Sequence, residues 1–324
     1  MSPEQIEAWI QKPLENAVFL TGPTASGKSE VALEVADRLG AEIISVDSMA
    51  VYRGMDIGTA KPSVEAQQRV PHHLIDLVDP TIDYSVSQFV IDAHRRAGEI
   101  RSRGNRVLLV GGTPLYLKSL LCGMFQGPPA DWEFRNAVQA DIETYGLDAL
   151  RERLYQVDPL SAHKILPGDS RRMVRALEVA KITGSPLSHW QTQFERFSIP
   201  KSSHAIVLVW DRSSLHQRVE QRVDRMFERG LLDEVRQLRS KYGQLGRTAS
   251  QAVGYKEPME FLEGKLLEKD MVDQVKAHTR QFVRRQEIWF RSMPGMTRIP
   301  IGSDRDLGAA PHAIASALED RQVA

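Results

Sequence analysis

Residues 16–47 decide the fold, and they read NAVFLTGPTASGKSEVALEVADRLGAEIISVD. AVFLT is an apolar run of strand length, and residues 22–29 match the pattern G-x-x-x-x-G-K-[ST] at every specified position. Residues 29–39 have the apolar content of a helix that Gly40 ends, and AEIISV predicts a second strand that closes on Asp47. The stretch therefore predicts strand, phosphate-binding loop, helix and strand as one unit.

The loop has the residue types that grip a di- or triphosphate. It consists of Gly22, Pro23, Thr24, Ala25, Ser26, Gly27, Lys28 and Ser29. The glycines let backbone N–H groups turn inward, and the following helix adds its positive N-terminal end. Lys28 supplies a point charge, and Ser29 can hold Mg²⁺. The alternative is a glycine-rich turn with a chance Gly-Lys-Ser, which the flanking strand and helix disfavour.

Composition limits the protein class. At 324 residues the chain is long enough for a large core and two lobes. Lys plus Arg and Asp plus Glu both number 42, so any site for a polyanion has to be local. The single cysteine, Cys122, excludes a disulfide framework and fits a reducing cytoplasm. We find no signal-peptide pattern and no run of about eighteen apolar residues, so we expect no contact with a membrane.

The order of predicted elements indicates an α/β fold. Strands are predicted at 72–78 and 106–110, a helix at 84–104, and one irregular turn with a long loop at 48–63. Alternating strands and helices with apolar strands indicate a parallel sheet, whose ligands lie at the carboxyl ends of the strands.

The middle of the chain has a different pattern. Residues 129–203 show helical periodicity and no strand, and HAIVLVWD then restores a buried strand. We therefore predict a first core part over 1–128, an all-helical insertion over 129–203, and completion of the core over 204–324. That last part should contain one long charged helix over 214–242, a basic helix at about 271–293, and a short strand and surface helix in the tail.

Asp47 is a carboxylate at a strand end beside the phosphate-binding loop. It can act as magnesium partner or general base, or it can simply anchor the following loop as an N-cap. Thr113, at the end of the adjacent strand, can place a hydroxyl near Asp47 or cap the helix that starts at Pro114. That strand ends in Gly-Gly-Thr where hydrolysing NTPases commonly have an acidic residue, so the usual NTPase pattern is incomplete.

The helix after Asp211 carries arginines that share a face. Arg218 and Arg222 are four apart, with Arg225 close by, and one of them can reach a pyrophosphate. The alternative, which the charge pattern favours, is a solvated face paired with acids of the same helix. Those acids are Glu220, Asp224 and Glu228.

The basic helix carries a stripe of cations within about an 80° arc at roughly 100° per residue. The stripe consists of Lys276, Arg280, Arg284 and Arg291. Arg285 points away from the stripe, and Glu287 is the only acid after Asp273 in this stretch. An RNA backbone is therefore a plausible partner. A second cluster, for which an ordinary solvated face is equally consistent, consists of Arg171, Arg172 and Arg175.

Several motifs together resemble a known family. GPTASGKS, ISVDSMAVYRGMDIGTAKP, LLVGGTPLY, DSRRMVRALEV, LHQRVEQRV, VGYKE and TRQFVRRQEIWFR have the order and spacing of bacterial tRNA dimethylallyltransferases, also called tRNA isopentenyltransferases. The resemblance spans about residues 17–291, and residues 46–62 are its most specific part. It implies a P-loop NTPase-like parallel sheet core with an inserted helical domain.

The resemblance also implies an activity. The family transfers a dimethylallyl group from dimethylallyl diphosphate to N6 of the adenosine 3′ of a tRNA anticodon, and it requires Mg²⁺. Its P-loop holds the prenyl diphosphate and does not hydrolyse ATP, which accounts for the missing acidic residue. For this chain it implies tRNA anticodon stem-loop and dimethylallyl diphosphate as partners, and we expect a cytoplasmic monomer.

The family's site residues transfer to this chain by position. Its P-loop falls on residues 22–29, its general base on Asp47, the threonine of its GGT motif on Thr113, and its diphosphate-binding arginine on Arg222. The family often has a basic residue where Gln251 stands, which puts that RNA contact in doubt. With the stripe residue Arg280 added, the expected tRNA contacts are Asp47, Ser48, Met49, Ala50, Thr113, Arg135, Arg171, Arg172, Arg175, Gln251, Lys256, Arg280, Arg284, Arg285 and Arg291.

Three other classes remain open on the residues alone. A small-molecule kinase would use the same P-loop core, and an enzyme that prenylates adenylate would use Asp47 and Thr113 but not the basic helix. A non-catalytic RNA-binding protein would use the helix and leave the P-loop idle.

Overall fold

The computed structural model describes residues 9–190 and 197–319. The chain forms two compact units. A helical unit comprises the N-terminal residues to Lys12 with Cys122–Phe197, and an α/β core comprises Pro13–Leu121 with the chain from Ser198 onward. The expected insertion, 129–203, begins and ends a few residues later than the helical unit, and residues 9–12 were expected in the core.

The core is a six-stranded sheet in the order β3-β2-β4-β1-β5-β6, and every strand pair is parallel. The strands are β1 (Val18–Thr21), β2 (Ala41–Ser45), β3 (His72–His73), β4 (Arg106–Gly111), β5 (His204–Trp210) and β6 (Thr297–Ile301). Thr21 lies level with Gly111 on one side and Val207 on the other. The loops that follow these strands therefore meet at one edge, which confirms the predicted sheet.

Helices connect and cover these strands. In chain order they are α1 (Lys28–Leu39), α2 (Val64–Arg69), α3 (Val86–Ser102), α4 (Pro114–Cys122), α5 (Trp132–Val157), α6 (Pro159–Lys164), α7 (Ser170–Thr183), α8 (Leu187–Trp190), α9 (Arg212–Glu228), α10 (Leu231–Tyr242), α11 (Lys256–Leu262), α12 (Glu268–Arg291) and α13 (Asp304–Glu319). Within the described ranges no helix is both long and apolar enough to cross a membrane.

Helix α13 is not the surface helix that the sequence suggested. Its buried face joins the main apolar cluster of the core, together with α1 and the sheet. The buried residues of α13 include Leu307, Ala310, Ile314 and Leu318. They recur every three or four positions, which is the spacing of one helix face. The tail is therefore part of the core.

Two other expectations were wrong in detail. The long helix over 214–242 is two helices, α9 and α10, because the chain turns at Gly230 with φ 92°. The strand expected over 72–78 is only β3, because Leu74 and Asp76 adopt positive φ values of 62° and 53°. An extended strand cannot continue through left-handed residues.

The helical unit has its own core. Phe134 and Val138 of α5 pack with Met173 and Leu177 of α7. Helix α5 is interrupted at Gly146, where φ is 82°. As predicted, the described part of this unit has helices and no strand.

Candidate active site

The predicted phosphate-binding loop, residues 22–29, leads from β1 into α1. Gly27 precedes the helix with φ 78°, and a Cβ there would lie 2.5 Å from Leu307 Cδ2. Glycine is thus required at this position both for its backbone conformation and for space. The amides of Lys28 and Ser29, the first two residues of α1, can donate to an anion, whereas those of Glu30 and Val31 donate to the Gly27 carbonyl.

Three side chains from distant parts of the core hold this loop. Gln286 Oε1 accepts a hydrogen bond from the Thr24 amide at 2.8 Å. Arg218 Nε donates to the Ala25 carbonyl at 3.0 Å, and Trp210 Nε1 donates to the Ser26 carbonyl at 3.0 Å. Arg218 also pairs with Asp304 and lies over the Trp210 ring. Arg218 is therefore occupied by the loop's backbone.

Asp47 and Thr113 belong to loops that touch each other. A Cβ on Gly111 would lie 2.0 Å from the Val46 carbonyl oxygen, so only glycine permits this approach. Thr113 Oγ1 accepts from the Ser48 amide at 3.1 Å. The predicted closeness of Thr113 to the Asp47 loop is therefore present.

The Asp47 carboxylate also anchors its own loop. Oδ1 accepts from the amides of Met49 at 2.8 Å and Ala50 at 3.2 Å. Asp47 therefore does anchor the loop that follows it, and it uses only Oδ1 to do so. Within the described residues Oδ2 has no protein hydrogen bond, so it can still act as a base.

A cavity of about 260 Å³ lies against these loops. Its polar lining includes Lys28, Asp47, Thr113 and Arg222, and Gln251, Arg285 and Gln286 also contribute. Its apolar lining includes Val223, Met226, Val275 and Phe282. The structure thus brings the four main sequence candidates to one cavity, together with an apolar surface.

The cavity has an excess of positive charge. Burial and the nearby Arg222 lower the pKa of Lys28 to about 8, while Asp47 acts in the opposite direction. Burial also lowers the pKa of Arg222, which Asp47 partly offsets. Arg222 Nη2 reaches the Thr59 carbonyl only at 3.5 Å. Two partly desolvated cations beside one carboxylate favour a bound anion.

Ser29 and Asp47 line a second cavity, of about 80 Å³, beside the same lysine. Hydroxyl and carboxylate oxygens are suitable Mg²⁺ ligands, so these two residues fit the expected ion. The described residues contain no group of three or more His, Cys, Asp or Glu side chains able to hold a metal. Further ligands would therefore have to come from a diphosphate and water.

Sequence reasoning missed the residues that hold residues 56–59 in place. Glu234 accepts from the amides of Asp56 and Ile57, at 3.1 and 2.7 Å, and from the Tyr255 hydroxyl at 2.6 Å. Gly58 faces the Tyr255 ring, which a Cβ would meet at 2.4 Å. Glu234 lies in the first turn of α10, where acidic residues are common because they stabilise the positive end of a helix. Its position in the sequence therefore did not indicate a role at the site.

Two of the four residues of the basic stripe of α12 pair with acids of α9. Lys276 binds Asp224 at 2.6 Å, and Arg280 binds Glu220 at 2.8 Å. Glu220 and Asp224 of α9 therefore pair with α12, and not with Arg218 or Arg222 as the charge pattern had favoured. Arg284, Arg285 and Arg291 are exposed. As expected, Arg285 lies apart from the stripe, and it lines the cavity.

The arginines of the helical unit form a separate network. Glu178 is fully buried and binds Arg135 through two hydrogen bonds of 2.7 Å. Arg175 binds Glu178 and the Pro128 carbonyl. Arg172 pairs with Asp169 at 3.3 Å, and Arg171 is exposed. Arg135 and Arg175 are thus held by the unit's own structure.

Comparison with known proteins identifies the family. The sequence pattern of the IPP transferase family matches residues 50–293. A protein from Rhodopirellula baltica named tRNA dimethylallyltransferase is 50% identical over 286 residues, covering 86% of each chain. One of the same name from Geobacter metallireducens is 44% identical, covering 85% of this chain and 89% of its own.

Solved structures agree. The tRNA isopentenylpyrophosphate transferase of Bacillus halodurans is 37% identical, with a TM-score of 0.67 over 95% of this chain and 98% of its own. A eukaryotic dimethylallyltransferase acting on tRNA is 28% identical, with a TM-score of 0.73 over 93% of this chain and 78% of its own. The chain therefore belongs to the IPP transferase family.

Proposed function

We propose that this protein transfers a dimethylallyl group from dimethylallyl diphosphate to N6 of the adenosine 3′ of a tRNA anticodon, with Mg²⁺ required. The observation that carries the proposal is the cavity that joins Lys28, Arg222 and Asp47 to an apolar lining. A prenyl diphosphate has the complementary combination of a polyanionic head and a short apolar chain. The names of the relatives, and a eukaryotic relative acting on tRNA, support the choice of acceptor.

The donor half of the reaction follows from charge. The C–O bond to the diphosphate breaks as the C–N bond forms, so the leaving diphosphate gains negative charge. Lys28, Arg222 and the amides at the start of α1 stabilise this charge more in the transition state than in the ground state, which accelerates the step. Val223, Met226, Val275 and Phe282 offer apolar surface for the allylic chain.

Asp47 is the proposed base. An exocyclic aromatic amine is a poor nucleophile because its lone pair is delocalised, so removal of the N6 proton assists attack. The two amides on Oδ1 fix the carboxylate, and Oδ2 takes the proton. Ser29 would hold Mg²⁺, which when bound supplies further positive charge for the diphosphate.

The tRNA is proposed to meet the exposed cations of α12. Arg284, Arg285 and Arg291 are exposed, and Arg285 also lines the cavity. The target adenine must leave its stack to reach Asp47, which costs a few kcal/mol and less in a loop than in a duplex. We also propose that the protein acts in the cytoplasm as a monomer.

Radiolabelled donor tests the proposal directly. The protein is incubated with labelled dimethylallyl diphosphate and, in turn, tRNA or AMP, and separately with ATP and small acceptors. We expect label in tRNA alone, located at the adenosine 3′ of the anticodon, and no tRNA-stimulated ATP turnover. Lys28→Ala should lose donor affinity and transfer together. ATP turnover that this substitution abolishes and the prenyl donor leaves unchanged would return the protein to the kinase class.

A further inference from the structure

One buried side chain connects the two halves of the site. Gln286 lies on α12 and is only 2% exposed. Its Oε1 accepts from the Thr24 amide at 2.8 Å, and its Nε2 donates to the Gly112 carbonyl at 2.6 Å. The orientation of the side-chain amide is fixed, because an N–H needs the oxygen and a carbonyl needs the nitrogen. Gln286 thus bridges the phosphate-binding loop and the Gly-Gly-Thr turn.

Each end of this bridge carries part of the chemistry. Thr24 belongs to the loop whose Lys28 faces the diphosphate. Gly112 immediately precedes Thr113, whose hydroxyl accepts from the amide next to Asp47. A Cβ on Gly112 would lie 2.7 Å from Gln286 Nε2 and 3.4 Å from Lys28 Nζ, so the three groups are close-packed. The bridge therefore sets the distance between the loop proposed to bind the diphosphate and Asp47, the proposed base.

A purely structural explanation is that Gln286 only completes the buried face of α12. That face is otherwise made of Met271, Val275, Thr279, Val283 and Phe290, which suffice to dock a helix. A glutamine among them must lose its hydration on burial, and that cost is recovered only through its two hydrogen bonds. Both bonds go to loops of the catalytic site, so the residue type is explained by the site and not by packing.

We infer that Gln286 is a positioning residue that locks the phosphate-binding loop to the Gly-Gly-Thr turn, so that diphosphate and base are held at a fixed distance. The inference rests on the proposed function, since it assigns a diphosphate to the loop and a base to Asp47. Gln286 itself need not contact either substrate.

Binding of inorganic pyrophosphate tests the inference apart from prenyl transfer. Gln286→Met keeps the size of the side chain and removes both hydrogen bonds. We expect its pyrophosphate dissociation constant to rise about 10-fold, because the loop that binds pyrophosphate loses the hydrogen bond from the Thr24 amide that holds it in place. In turnover, KM for dimethylallyl diphosphate should rise and kcat should fall, while affinity for an anticodon stem-loop stays within about twofold.

The matched control is Gln281→Met, which changes an exposed glutamine on the same helix and should leave every value unchanged. Thermal unfolding of each variant shows that binding is measured on folded protein. If Gln286→Met does not fold, Gln286→Asn replaces it, because its amide is one methylene too short to span both loops. Unchanged pyrophosphate affinity in a folded Gln286 variant would overturn the inference. Failure of the unmutated protein to bind pyrophosphate would instead overturn the proposed donor site, and this inference with it.

Discussion

The helical unit and the core both contain clustered arginines, and they differ in what neutralises the positive charge. In the helical unit, buried Glu178 binds both Arg135 and Arg175 at hydrogen-bond distance. In the core, Lys28 and Arg222 share Asp47, and the acceptor for Arg222 is a carbonyl at 3.5 Å. The first arrangement is electrostatically complete within the protein. The second leaves positive charge that a bound anion would neutralise.

This difference shows that arginine spacing alone does not reveal a ligand site. Arg171 and Arg175 are four apart on α7, as Arg218 and Arg222 are on α9. The deciding feature is whether a carboxylate pairs with the guanidinium: Glu178 pairs with Arg175, whereas among the described residues the hydrogen-bond acceptor of Arg222 is the Thr59 carbonyl. Four predictions test the contrast, in order of expected effect.

Asp47→Asn should lower the rate of prenyl transfer by about 10²-fold or more, because an amide cannot act as a general base. Asparagine can still accept from the amides of Met49 and Ala50, so the loop should keep its shape. The measurement is single-turnover transfer to tRNA, with tRNA affinity as the control. A variant with near-normal turnover would leave Asp47 only its anchoring role.

Glu178→Ala should destabilise the protein by about 3 kcal/mol, because it leaves Arg135 and Arg175 without their buried partner. Burial by itself would raise the pKa of Glu178, but hydrogen bonds from Arg135 and Arg175 lower it below the ordinary 4.5. The contribution of ionised Glu178 to the free energy of unfolding should therefore be complete above pH 4.5. It should disappear as the pH falls through the lowered pKa of Glu178. Denaturant unfolding at several pH values measures both effects.

The matched control for that measurement is Arg172→Ala. This arginine pairs with Asp169 on the surface, and the loss should cost less than about 1 kcal/mol. Equal costs for the two variants would mean that the buried network is no more important to stability than a surface pair.

Affinity for dimethylallyl diphosphate should fall up to about 10-fold between pH 7.5 and pH 9, because Lys28 has a pKa of about 8 and loses its charge over this range. Lys28→Arg retains its charge throughout, so its affinity should lack this pH dependence. The same slope in both proteins would assign the titration to another group. Equilibrium binding in the absence of tRNA is the measurement.

Arg284→Gln should reduce the slope of log affinity for tRNA against log salt by about 0.7, the value for one phosphate contact with a single strand. Arg280→Gln should change that slope less, because Glu220 already pairs with this arginine. Binding titrations from low to moderate salt compare the two. A larger slope change for Arg280 would show that RNA displaces Glu220 from it.

Local patterns predicted the parts of the molecule that depend on neighbouring residues. The loop between β1 and α1, the parallel strands, and the placement of Asp47 and Thr113 on one cavity followed from motif and strand order, whereas Arg222 was singled out by the family resemblance. Gln286 and Glu234 did not, because they bond to residues 262 and 177 positions away. One signal for Gln286 was present, since it is an amide on the apolar face of α12. The break at Gly230 was visible too, but the charged pattern continued across it.

The contact between Leu307 and Gly27 has a practical consequence for anyone who shortens this protein. The segment that matches the family pattern, residues 50–293, contains neither β1 nor the phosphate-binding loop, Asp47 or α13. Leu307 of α13 packs against Gly27, the residue before α1, so the C-terminal helix supports the loop from inside the core. Ending the chain at residue 302 would remove α13 and this contact, although all of the proposed substrate-binding residues would remain in the sequence. Choosing expression limits from the matched segment would thus discard both the proposed donor site and the helix that packs against it.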